Sequence, residues 1–365
     1  MIQSKDKKEF IVFGKPYIAK DEINEMIDTL ESGWIGTGPK TKLFERSFAE
    51  YVGAKYAIGL NSCTAGLHLA LDTLDIGQGD EIITTPMTFA ATANVIEHRN
   101  AKPIFVDVSK DDMNIDVDLI EKAITPKTRV IMPVHFAGRP CKMDRINEIA
   151  NKYHLSIIAD AAHAVEAKYN GKRIGEVSDV TVFSFYANKN LTTGEGGMIV
   201  TDNEELAEKM RIRSSHGLSK NAWKRYSKNG YKSYDVLYPG YKYNMTDMQA
   251  SLGIHQLKKI EMNLIIRENI WGKYDKAFKE IDALLKPNSV GKLKRHARHL
   301  YIILLDLKKL SITRDEFVQC MNDCGIGTGV HYKAIHLHDY YKKKYSYERG
   351  NFKNAEWISD RTLSL

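Results

Sequence analysis

FSFYANKNLTTGEGG (183–197) is the stretch on which the fold turns. It reads as the end of an apolar strand, a lysine in the turn beyond it, and a polar run closing on two glycines. The residues just before it, VTVFSF (180–185), and the earlier SIIAD (156–160) are short apolar runs that do not alternate with polar residues. Such runs fit strands buried on both faces, the mark of a parallel sheet with helices on either side. GMIVTD (197–202) follows as another strand.

The same alternation fills the first two-thirds of the chain. DEINEMIDTLESG (21–33) sets Ile23, Met26, Ile27 and Leu30 at helical spacing and stops on a glycine, and LFERSFAEYVG (43–53) is a second amphipathic helix. YAIGL, DEIITTP, KPIFVDV and TRVIMPVHF read as strands, separated by TAGLHLALDTL, FAATANVIEHR and VDLIEKAI as helices. MDRINEIANKY and NEELAEKMRIRS complete the helices around the strands already named. The expected class is therefore α/β with a mostly parallel central sheet. Residues 217–245 show no period and read as a long loop, and 246–278 as one long helix capped by Thr246. After Pro287 the pattern changes to strand (HARHLYIILLDL), helix (TRDEFVQCMNDCG) and strand (IGTGVHY), a smaller α+β domain. The expected division is 1–245 for the large domain, 246–285 for the connecting helix, and 286–365 for the small domain.

Composition narrows the function. No apolar run approaches the ~20 residues of a membrane span, and MIQSKDKKEF lacks the apolar core of a signal peptide. Four cysteines in 365 residues form no disulfide framework, and Cys320/Cys324 lack the further Cys or His of a zinc site, so no metal is expected. Reduced thiols point to the cytoplasm. The net charge of +7 is scattered, with no basic stripe interleaved with aromatics, so a small polyanion suits it better than nucleic acid. TGPKTK lacks the glycine before lysine of a phosphate loop, no GxGxxG follows the first strand, and GLNSC is not a nucleophile elbow.

Three features converge instead. Asp160 ends one strand and Ser184 another, at the carboxyl edge where open α/β sheets bind ligands, with Lys189 just beyond. NSCTAGLHLAL (61–71) begins a helix with small hydroxyl residues, where free amides and the helix dipole suit a phosphate. An acid, an amine and a phosphate cradle are what pyridoxal phosphate requires: covalent attachment, a partner for the pyridine nitrogen, and an anion site.

With ADAAHA (159–164), SGWIGTGPKTKLFE (32–45), PMTFAATANVI (86–96) and PGYKYNMTDMQASLG (239–253) in order around that lysine, the chain resembles the DegT-type sugar aminotransferase family over nearly its whole length. PGYKYNMTD and GIGTGVHYKAIH (325–336) most resemble the UDP-4-amino-4-deoxy-arabinose aminotransferase and its C4-aminating relatives. The resemblance implies the pyridoxal-phosphate-dependent transferase fold of type I, with Lys189 carrying the cofactor and Asp160 pairing with its nitrogen. Thr64, Ala65 and Ser184 would hold the phosphate, Phe89 would stack on the ring, and His163 would lie near the phenolic oxygen. Asn244 would reach the phosphate of a neighbouring subunit, making the protein a homodimer with shared sites. The sugar nucleotide would meet Trp34, Gly36 and Thr37 in the 34–39 loop, and Arg225, His331, Lys333 and His336. L-Glutamate would donate the amino group, leaving 2-oxoglutarate, to a nucleotide-diphosphate-linked 4-keto sugar for cell-surface polysaccharide or lipid A-type glycan synthesis. Relatives that aminate C3 tend to read Gln at the position of His163.

The chain also departs from the pattern. GYKYNM stands where much of the family reads GYNYRM, and Cys63 replaces the glycine of NSGTA. Ending at RTLSL implies either a trimmed sequence or a small domain without its closing helix. The rival readings are a C3-aminating member, a dehydratase on the same fold, and a non-catalytic sugar-nucleotide-binding regulator. The dehydratase reading resembles family members that carry His at the position of Lys189, so the lysine argues against it.

Overall fold

The computed structural model describes residues 9–219 and 233–365. The first helix, α1 (Lys20–Glu31), is followed by α2 (Pro39–Val52), which starts on the φ-restricted proline and ends on Gly53 at φ 75°. The strands then alternate with helices: β1 (Tyr56–Leu60), α3 (Cys63–Thr73), β2 (Glu81–Thr84), α4 (Ala90–His98) and β3 (Lys102–Phe105). After these come α5 (Val117–Ala123), β4 (Thr128–Ile131), α6 (Met143–Tyr153) and β5 (Ser156–Asp160). A short hairpin, β6 (Lys168–Tyr169) and β7 (Lys172–Arg173), precedes β8 (Val180–Ser184), β9 (Gly197–Thr201) and α7 (Glu204–Arg213).

The large sheet runs β1-β9-β8-β5-β4-β2-β3. Strands β8, β5, β4, β2 and β3 pair in parallel, while β9 lies antiparallel to both β8 and β1. The carboxyl ends of β1, β5 and β8 therefore share one edge. Successive residues point to opposite faces: Ile157, Phe183 and Val200 enter one apolar cluster, Ile158, Val182 and Ile199 the other. Both faces are covered, which is why these strands read as largely apolar runs without a polar face. Phe44 and Phe48 of α2 pack against Phe183 and Phe185 at centroid distances of 5.1–5.3 Å.

Thr246 caps α8 (Asp247–Ala277) by accepting from Gln249 N–H, and Gln249 returns its side chain to the Thr246 amide. No helix among the described residues is long and apolar enough to cross a membrane. Next come β10 (Leu284–Leu285), β11 (Lys294–Arg295), β12 (Ile302–Leu305) and α9 (Arg314–Asp323). Two short helices, α10 (Asp339–Tyr345) and α11 (Lys353–Ser359), lead to β13 (Thr362–Ser364). A small antiparallel sheet runs β10-β12-β13, so Leu284–Leu285, within the stretch expected to be connecting helix, belongs to it. IGTGVHY is not a strand: it makes only isolated bridges, Ile326 to Ile11 and Gly329 to Ser364. Its glycines instead let the N-terminal segment lie against it, since a Cβ on Gly327 would meet Ile11 O at 2.9 Å. Leu300, Ile302 and Ala334 share a core with Met87, Val108 and Phe136, fixing the small sheet against the large one.

Candidate active site

Asp160 ends β5 and is 6% exposed. Its Oδ1 accepts from Ala162 N–H at 3.1 Å and its Oδ2 from the Thr92 hydroxyl at 2.8 Å, and Thr88 is hydrogen-bonded to Thr92 at 2.7 Å. Burial pushes its carboxyl upward, against the pull of these donors and of Lys189. Each oxygen keeps room for a further donor, so a cationic N–H brought against it would favour the charged carboxylate.

Lys189 lies in the turn after β8, its N–H donating to Tyr186 O at 2.9 Å. Burial depresses its ammonium from 10.5 to about 8, against the opposing pull of Cys63 and Asp160. Beside it the start of α3 is open: Ser62 accepts from Ala65 N–H at 3.1 Å, while the Cys63 and Thr64 amides have no intrahelical partner. The second of the two glycines closing the polar run makes this approach possible, because a Cβ on Gly197 would stand 2.5 Å from Ser62 C and 2.6 Å from Cys63 N. Gly66 likewise lets α3 sit on Val182.

These groups line one cleft of about 450 Å³. Of the residues singled out in the sequence, Thr64, Phe89, Asp160, His163, Ser184, Lys189 and His331 face it. Phe89 is 62% exposed, leaving a free aromatic face at the mouth. His163 is neutral: burial, then the charge of Lys189, holds it well below its usual value. Its Nδ1 accepts from Ala137 N–H at 3.2 Å, so Nε2 carries the hydrogen that meets the Tyr332 hydroxyl at 3.2 Å. His331 Nδ1 is hydrogen-bonded to Ser364 Oγ at 2.8 Å.

Other expected residues lie elsewhere. Ala65 has its N–H occupied by Ser62 and is not on the cleft wall. Trp34, Gly36 and Thr37 form an outer loop tied to the start of α8, with Thr37 donating to Met245 O at 2.5 Å and Asp247 N–H donating to Gly36 O at 2.8 Å. Asn244 Nδ2 donates to Thr37 Oγ1 at 2.6 Å, and Asn244 Oδ1 is buried without a partner. Lys333 is exposed off the cleft wall. His336 is not a cleft residue: its short turn aims it into the small domain, where it meets Glu356 Oε1 at 3.1 Å and packs on Phe352 at 4.8 Å. Arg225 lies outside the described residues. Thr92, Tyr186, Asn188 and Tyr332 also belong to the site; each lies inside a motif quoted above that assigns it no role.

A buried amine with a depressed proton affinity, a carboxylate with spare lone pairs, open helix amides and a free aromatic face fit pyridoxal phosphate on this chain's own residues. Residues 16–365 match the profile of the DegT/DnrJ/EryC1/StrS aminotransferase family. The chain belongs to that family. It is a pyridoxal-phosphate-dependent sugar aminotransferase.

It is 49% identical over 366 residues to the spore coat polysaccharide biosynthesis protein SpsC of Bacillus subtilis, covering 100% of this chain and 93% of that one. The fold matches the putative sugar aminotransferase Spr1654 of Streptococcus pneumoniae in its PLP form, with a TM-score of 0.90 and 36% identity, covering 98% of this chain and 93% of the other. The PMP form of Spr1654 matches with a TM-score of 0.91. Helicobacter pylori PseC, an aminotransferase involved in pseudoaminic acid biosynthesis, matches with a TM-score of 0.90 and 30% identity over 98% of this chain and 93% of its own. The DegT family and these neighbours thus give the fold, the pyridoxal-phosphate-dependent fold of type I.

Proposed function

We propose that this DegT-family enzyme moves the amino group of L-glutamate to C4 of a nucleotide-linked 4-keto sugar, as a homodimer whose sites are shared. The observation that carries the reading is His163, held neutral beside Lys189 with its Nε2–H turned to Tyr332. C3-aminating relatives tend to place Gln there, and GYKYNMTD and GVHYKAIH add C4-type resemblance. SpsC and PseC, by name, serve polysaccharide and pseudoaminic acid biosynthesis, which supports a surface-glycan role.

Pyridoxal phosphate, when bound, supplies the electron sink that makes the carbon bearing the amino group acidic. Lys189 would carry it, and with its proton affinity lowered to about 8 its amine is available near neutral pH to move a proton at that carbon. Asp160, braced by Thr92 and Ala162, would hold the ring nitrogen's proton. The Thr64 amide and the Ser184 hydroxyl would grip the phosphate, and Phe89 would cover the ring. Tyr332, kept protonated by burial, accepts from His163 and so can direct its own hydrogen into the cleft.

Matched 3-keto and 4-keto sugar nucleotides, offered with glutamate, test the regiochemistry by NMR location of the new amine. The 4-keto isomer should react faster by at least about tenfold, since a misplaced hydroxyl leaves polar groups mispaired at about 1–3 kcal/mol each. Preferred turnover of the 3-keto isomer overturns the reading.

A further inference from the structure

Behind the cleft lies a hydrogen-bonded chain that the steps above do not use. Asn190, next to Lys189, gives away both hydrogens of its amide, to Glu166 Oε2 at 2.9 Å and to Ala297 O at 2.9 Å. Its Oδ1 is thereby left as an acceptor and stands 3.0 Å from His299 Nδ1. The hydrogen between them must sit on His299, which is the Nδ1–H tautomer.

The orientation of the Asn190 amide is itself imposed from outside the turn. Glu166 is fully buried, and its other oxygen is taken by Arg267 of α8. Arg295 Nε holds the Glu166 backbone carbonyl at 2.7 Å. A carboxylate clamped on a guanidinium can offer Asn190 only an acceptor, so the amide cannot turn round without setting oxygen against oxygen. At the far end the His299 ring lies on His163, with centroids 4.4 Å apart and planes at 39°. His163 carries its hydrogen on Nε2, the opposite choice. Two neutral rings are thus packed with their tautomers assigned from opposite sides.

We propose that Glu166 and Asn190 are positioning residues for amino transfer: they hold the Lys189 turn against α8 and fix His299 as its Nδ1–H tautomer against His163. Neither lines the cleft, so both act through Lys189 and the paired rings. The inference needs neither the reacting carbon of the sugar nor the identity of the donor, and its failure is distinct from theirs.

The test uses the full-length, cofactor-free protein labelled with 15N-histidine, with His299 assigned by the signals lost in His299→Gln. Long-range 15N–1H spectra at neutral pH should show His299 as neutral Nδ1–H. Asn190→Ala removes the acceptor, so the His299 signals should move toward the Nε2–H form. The rate at which the protein takes up pyridoxal phosphate should fall about tenfold or more, as the loosened turn misplaces the amine. A merely structural role for Asn190 would lower the melting temperature without changing the tautomer. Wild-type His299 in the Nε2–H form, an unchanged tautomer in Asn190→Ala, or uptake within about twofold of wild type each overturns the proposal. The wild-type spectrum decides the tautomer even where the variant fails to fold.

Discussion

Replacing Lys189 by Met should make the cofactor-free protein more stable at neutral pH, although it removes the residue proposed to carry the cofactor. The lysine ordinarily holds its proton up to 10.5, and burial brings that down to about 8. Below pH 8 the folded and unfolded chains both carry the proton, so the cost of the buried charge is fully present and constant. Between 8 and 10.5 the unfolded chain binds more protons, stability rises with pH, and above 10.5 the cost is gone. At ~1.4 kcal/mol per pH unit the cost near pH 7 is about 3 kcal/mol, falling to about 1.4 kcal/mol at roughly pH 9.5. Methionine occupies a similar volume without the charge, so most of that cost should appear as a gain. Urea unfolding of both proteins, at one protein concentration because association also stabilises, measures the difference at the two pH values. A gain that does not shrink on going to the higher pH, or a variant less stable than wild type at pH 7, refutes burial as the origin of the depressed value.

Two further outcomes follow from the geometry. Asp160→Asn removes the carboxylate that Thr92 and Ala162 brace, so turnover should fall by about 10²-fold or more while cofactor still binds; single-turnover rates check this, and a loss under about tenfold would assign the role to another group. Gly197→Ala should push the first turn of α3 away from β9, because its Cβ would stand 2.5 Å from Ser62 C. The expected result is about 1–3 kcal/mol of destabilisation and a matching weakening of cofactor affinity, read by fluorescence titration, and an unchanged affinity would count against the α3 amides as the anion site.

Residue order alone makes legible what is local or positional. Buried strands declare themselves through short, largely apolar and β-branched runs because both faces of each are covered, so SIIAD and VTVFS mark the sheet's centre. Thr246 and Gln249 announce the long helix through their reciprocal cap. GTGVHY misleads because its apolar and small residues fit a strand, whereas the glycines serve close backbone approach by the N-terminal segment, which spacing does not record. His336 reads as a companion of His331 because they stand five positions apart in the chain, yet the turn at Ile335–Leu337 sends the two rings into different surroundings.

Hydrophobic period and ordered motifs are enough for the α/β class and the family, and they single out Asp160 at a strand end and Lys189 in the turn beyond another as the candidate acid and amine. The electrical state of the site is a property of the folded chain alone. Lys189 is depressed by burial contributed by elements far along the chain, and Thr92 reaches Asp160 from helix α4. The tautomers of His163 and His299 are assigned by Ala137 and Asn190, neither of them adjacent to the histidine it orients. A proton's position depends on which donors and acceptors surround it in space, and only folding brings Arg267, Glu166, Asn190 and His299 into one line.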